Sequence, residues 1–223
     1  MRRFRFVVAD MPSKNRVEAL VDGIFSVAMT LLVLDIKLPE DVRLATNDEL
    51  IRHFASVGAS FAIYLISFFV LAMFWVGHHY QFRYVKRLDR GLLWINFGFL
   101  LLTTLVPFST NLVATHGNLS FAVSVYAANL FLLGAAMLLH DQVLLSRREL
   151  TTEEFTTAVG TEIRARLALI CLVPLLAICA AQLSPRLGIS MFWLLALLHF
   201  VPHGIKPAQE SERDPKRATT EAE

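Results

Sequence analysis

Residues Arg16 to Leu38 read RVEALVDGIFSVAMTLLVLDIKL. A bilayer core about 30 Å thick asks for about 20 predominantly apolar residues in a helix, and this stretch is long and apolar enough to enter one. Yet Arg16, Glu18 and Asp22 stand at its start, small or hydroxylated residues in its middle, and Asp35 and Lys37 at its end. Leu20, Gly23, Val27, Thr30, Leu31 and Leu34 recur at steps of three and four, which puts them on one side of a helix. Such a stripe serves ordinary helix packing, or it lines an ion pathway. One copy cannot enclose a pore. Several copies around a symmetry axis can, with apolar constrictions at Val27 and Leu34 and a hydroxyl ring at Thr30, and apolar constrictions gate by dewetting.

The rest of the composition agrees with a membrane setting. The chain has 223 residues, of which 55% are hydrophobic and 18% charged. Its mean hydropathy is +0.53. The charges cluster between long apolar runs, the pattern of a polytopic membrane protein with little room for a separate soluble domain. A net charge of +2, with no basic stripe, gives no reason to expect nucleic-acid binding. Cys171 and Cys179 share one apolar segment without metal-ligand companions and read as free thiols. The N-terminus does not read as a cleavable signal, because the first apolar run begins only near Leu20.

Six spans are expected: 16–38, ending before Pro39; 53–80; 91–113; 119–140; 165–183; and 187–205. Residues 39–52 read as a polar loop, 81–90 as a basic connection, 114–118 as a tight turn and 184–186 as a hairpin. In 141–164, Thr151 and Glu154 have capping-box spacing, so either a short surface helix starts there or a neighbouring span extends into it. Residues 1–205 would form the channel domain and 206–223 a disordered tail. Lys and Arg concentrate before the first span, at 83–90, at 147–166 and after the last span, which makes those regions and both termini cytoplasmic.

A charge at mid-helix costs about 2.5–3.5 kcal/mol on insertion scales, so intramembrane polar groups mark a functional site or a structural network. Glu18 suits a helix start, whereas the deeper Asp22 needs a buried partner. Trp75, His78 and His79 read either as an interfacial belt or as that partner, with His78 or His79 meeting Asp22. Asn96, Thr103, Thr104, Ser109, Asn111, Asn129, His140 and His199 read as interhelical hydrogen-bonding groups. Motifs for hydrolases, metalloproteases and nucleotide binding are missing, so no enzyme, cofactor or resident metal is expected, and there is no TVGYG-type filter.

Three segments resemble the bacterial branch of the transmembrane protein 175 family: RVEALVDGIFSVAMTLLVLDIKLP, FFVLAMFWVGHHYQF and LLWINFGFLLLTTLVPFSTNL. Members are endosomal and lysosomal potassium channels in animals, with short prokaryotic relatives. The family marker is Arg-x-x-x-Phe-Ser-Asp; here Arg16 and Asp22 match, while Leu20 and Val21 replace the Phe and Ser. The resemblance implies an all-α membrane protein with six transmembrane helices per subunit, assembled as a homotetramer with helix 1 around a central pore. It implies pore-lining roles for Val27, Thr30, Leu31 and Leu34, and a polar network of Arg16, Asp22, Trp75, His78 and Asn96. The expected function is a potassium-selective or weakly selective cation channel of the bacterial inner membrane, with potassium ions, the lipid bilayer and sibling subunits as partners. The rival is a proton-coupled secondary transporter using Asp22 and His78 or His79.

Overall fold

The structure, a computed structural model, describes residues 11–34, 36 and 46–200, without the side chains at 53, 55, 56, 59 and 196–200. The described chain is helical: α1 Lys14–Leu34, α2 Asn47–Ser56, α3 Gly58–Arg83, α4 Arg90–Thr104, α5 Val106–His116, α6 Ser120–Ser146, α7 Thr157–Leu183 and α8 Pro185–Phe200. Among the described residues, five stretches are long and apolar enough to cross a membrane, with α4 and α5 together making one of them. The protein is therefore a multi-pass, all-helical membrane protein.

Local sequence starts several helices. The Asp89 carboxylate accepts from Leu92 N at 2.7 Å and caps α4. Thr156 Oγ1 accepts from Val159 N at 3.3 Å and caps α7. A reciprocal capping box opens α2: Glu49 N donates to Thr46 Oγ1 at 3.3 Å and Thr46 N to Glu49 Oε2 at 3.2 Å.

α1 packs against α3, α4 and α5, while α6 packs against α4, α5 and α7. Small residues let α6, α7 and α8 approach closely, as lipid-embedded helices require. A Cβ on Gly134 would lie 2.7 Å from Cys171 Sγ, and one on Gly188 would lie 2.8 Å from Ala181 Cβ. Both cysteines are free thiols, Cys171 buried and Cys179 exposed.

Pro107 has no amide hydrogen for the carbonyl of Thr103, and the third span breaks at Leu105 into α4 and α5. Asn129 of α6 repairs the break. With its amide oriented to satisfy both ends, it donates to Leu102 O at 3.2 Å and accepts from Val106 N at 3.2 Å. Nearby, Thr110 Oγ1 donates to Ser67 Oγ at 2.9 Å, and Ser67 lies 2.9 Å from the Tyr126 hydroxyl.

At the end of the bundle holding Arg83, two connections are clasped. Val85 and Thr151 form an isolated antiparallel bridge, with Lys86 N on Leu150 O at 2.8 Å and Thr152 N on Tyr84 O at 2.9 Å. Arg147 pairs with Asp89, and Arg83 lies 3.6 Å from Glu154. Burial, then the hydrogen bond to Tyr80, pushes the Tyr84 phenol up to about 12, so it remains a neutral donor.

Several boundaries differ from the sequence-based expectation. The polar loop 39–52 contains the start of α2, because the Thr46–Glu49 box nucleates a helix there. The second span starts at Gly58 rather than 53 and runs to Arg83. The expected turn 114–118 is partly helical, since α5 reaches His116. Thr151 starts no surface helix: its hydroxyl donates back to Arg148 O at 2.9 Å, and α7 extends down to Thr157 instead. Asp35, Lys37, the loop 39–45, the end of the sixth segment and the 206–223 tail lie outside the described residues.

Because Asn129 is buried and serves two backbone groups, Asn129→Leu should destabilise the detergent-solubilised protein by about 1–2 kcal/mol. Thermal unfolding measures this, and an unchanged midpoint would show that the break needs no cap.

Candidate functional site: the anchored first helix

α1 buries Val17, Val21, Phe25, Ala28 and Leu32, spaced four, four, three and four apart. The remaining side carries Leu20, Gly23, Val27, Thr30, Leu31 and Leu34, all exposed in the single chain, with Val27 at 57% and Leu34 at 65%. The stripe is thus turned away from the subunit's own interior. Thr30 Oγ1 donates back to Ser26 O at 3.0 Å and Val27 O at 2.9 Å. Its proton is spent on the backbone, and its oxygen lone pairs remain available on the exposed side.

Behind the stripe lies the polar group. Trp75 Nε1 of α3 donates to Asp22 Oδ1 at 2.8 Å. His79 stacks on Trp75 with ring centroids 6.0 Å apart. His78 is buried and lies 2.8 Å from Asn96 Oδ1 of α4. Its imidazole is sandwiched between Phe82 at 4.5 Å and Phe99 at 5.1 Å, and Phe99 reaches Phe25 of α1 at 5.7 Å. A small cleft lined by Glu18, Asp22, Trp75, His78 and His79 joins the two hydrogen-bonded pairs.

Four of the five network residues are therefore brought together, in pairs other than those expected. Asp22 takes the indole N–H of Trp75, and His78 takes Asn96, because the aromatic sandwich turns the imidazole toward α4. Arg16 stays apart. It is exposed, four residues before Leu20 on the stripe's own side, and its side chain has no polar partner among the described residues. Glu18 lies 3.9 Å from Lys14 instead. His140 stacks on Phe82 at 5.4 Å rather than hydrogen-bonding across helices, and the His199 side chain lies outside the described residues.

The profile of the family described as endosomal/lysosomal potassium channel TMEM175 matches residues 16–107, the part holding α1 and all of this polar group. A potassium channel of Streptomyces collinus is 36% identical over 196 residues, covering 85% of this chain and 92% of that one. The chain belongs to the TMEM175 family. The crystal structure of a lysosomal potassium-selective TMEM175 homolog from Chamaesiphon minutus superposes with a TM-score of 0.71 at 28% identity, covering 83% of this chain and 95% of that one. The human endosomal/lysosomal proton channel TMEM175 is 33% identical over 94 residues, which is 40% of this chain and 19% of that protein. As a TMEM175 protein the chain is an ion channel rather than an enzyme.

Sequence reasoning missed Gln81, which is buried and donates from Nε2 to Met137 O at 3.2 Å, tying α3 to α6. The available signal was its position three residues after His78, on the same helical face. It also missed Phe82 and Phe99, since apolar residues in a membrane span carry no sign that they will flank an imidazole.

Asp22 and Trp75 should be energetically coupled. In a double-mutant cycle of Asp22→Ala and Trp75→Phe read by thermal unfolding, the double variant should lose less than the sum of the singles, by about 0.5–1.5 kcal/mol. Strict additivity would show that the bond does not hold α1.

Proposed function

We propose that this TMEM175 protein is a potassium-favouring cation channel, a homotetramer in which four copies of α1 surround a central pore. Residues 1–205 form its channel domain of six spans, with α8 as the sixth, and 206–223 a cytoplasmic tail; the membrane is the bacterial inner membrane and both termini are cytoplasmic. The observation that carries the reading is the exposed stripe of α1, apolar except at Arg16 and Thr30, on a helix anchored from behind by Asp22 and Trp75. An apolar stripe facing siblings makes narrow dry rings at Val27, Leu31 and Leu34, which conduct only when hydrated. Between them Thr30 offers a ring of hydroxyl oxygens whose protons are already donated to the backbone, a lining suited to a partly dehydrated alkali cation. Selectivity arises at Val27 and Thr30 rather than in a cage of carbonyls. Arg16, at the cytoplasmic mouth, sets the local potential for entering ions, while Asp22, Trp75, His78 and Asn96 hold the rotation of α1.

The names of the Streptomyces and Chamaesiphon relatives, a potassium channel and a potassium-selective channel, support potassium as the ion. A proton-coupled carrier through Asp22 and the histidines is the weaker reading, since Asp22 and His78 are each held by another partner.

In liposome flux assays Val27→Asn should raise potassium conductance or blur the preference over sodium, because a polar side chain keeps the narrow ring wet. An unchanged flux would contradict the assignment. A reversal potential that follows the potassium gradient alone separates a channel from a coupled carrier, for which it would shift with pH in a fixed ratio.

A further inference from the structure

We infer that α2 is a membrane-surface helix, whose Leu50, Ile51 and Phe54 face sits in the headgroup layer of the bilayer beside the entry to α3. The inference does not depend on which helix lines the pore.

Three observations carry it. The helix is started by local chemistry, since the Thr46–Glu49 box satisfies the amides of both residues, but a helix of ten residues is marginal in water and needs a face to bury. It is also two-sided. On a helical wheel at about 100° per residue, Leu50, Phe54 and Ile51 fall within one arc, and Asp48, Glu49 and Arg52 fall opposite. Yet the apolar side is bare: Ile51 is 66% and Phe54 72% exposed. Exposed large apolar side chains grouped on one face mark an interaction surface.

Position selects the partner. Val57 alone separates α2 from α3, and the apolar candidate span Ser60–Arg83 follows at once. Phe54 lies six residues earlier, about 9 Å along a straight helix and less across a bend. An amphipathic helix in the interface sinks its apolar face about 5–10 Å into the headgroup and acyl boundary, and a helix this near the start of a span stands beside that boundary. Phe61, in the first turns of α3, is exposed as well. A surface anchored here follows the chain leaving α1, and it ties the non-Arg83 end of the bundle to the lipid surface.

The test labels Phe54→Cys, Ile51→Cys and Arg52→Cys with an environment-sensitive fluorophore, in the full-length chain carrying Cys179→Ala and retaining the buried Cys171. The protein is reconstituted into phosphatidylcholine–phosphatidylglycerol vesicles with a shallow doxyl-labelled lipid, and iodide is the aqueous quencher. At Phe54 and Ile51 the doxyl lipid should quench several-fold more than iodide, with the order reversed at Arg52. Labels at 51 and 54 shielded from both quenchers would overturn the proposal in favour of a second copy or another part of the chain. Quenching there mainly by iodide would overturn it in favour of a water-facing helix. Two labelled sites on one face keep the test valid if either variant alone fails to fold.

Discussion

A helix that is apolar nearly all round has no preferred face in lipid, because hydrocarbon tails welcome leucine as readily as a protein core does. The rotation of α1 must therefore be set by polar contacts and by shape. The Asp22–Trp75 hydrogen bond at 2.8 Å supplies the polar part. A carboxylate about 12 Å along the helix from its start at Lys14 is costly to leave unpaired, and the indole N–H meets it from α3. Shape supplies the rest: Val17, Val21, Phe25, Ala28 and Leu32 pack inward, with Phe25 against Phe99. Together they leave Leu20, Val27, Thr30, Leu31 and Leu34 turned outward.

The elements around α1 act as a brace. His78 is locked by Asn96 and Phe99 of α4 and backed by Phe82 of its own helix, so α3 and α4 cannot slide past one another without breaking a buried hydrogen bond and a ring contact. α4 can end and α5 begin within the membrane because Asn129 serves both broken ends. Outside the spans, the Val85–Thr151 bridge and the Arg147–Asp89 pair join the α3–α4 and α6–α7 connections. The support for the candidate pore face thus extends from α1 through α3 and α4 to α6 and α7.

The membrane class, the span centres and the polar residues Asp22, Trp75, His78 and Asn96 were legible in the sequence, because long apolar runs make every intruding polar group conspicuous. Their pairing was not. Asp22 had three aromatic or imidazole candidates within five residues of α3, and the choice of Trp75 depends on ring stacking that no spacing encodes. Capping signals were equally ambiguous. Thr46–Glu49 and Thr151–Glu154 share one spacing, yet only the first starts a helix, because Thr151 is drawn into the bridge with Val85. The break at Leu105 was hidden for a related reason: Pro107 announces a lost hydrogen bond, but whether the helix kinks or stops depends on the Asn129 side chain of a distant helix.

The idea that copies of α1 face one another across a shared axis is tested most directly by pulsed electron-electron spin measurements on Leu34→Cys spin-labelled protein in nanodiscs, in a background lacking the exposed Cys179. Fourfold packing around α1 gives two short distances in the proportion of the side to the diagonal of a square. Label pairs too far apart to interact, or a single distance from a dimer, would contradict it.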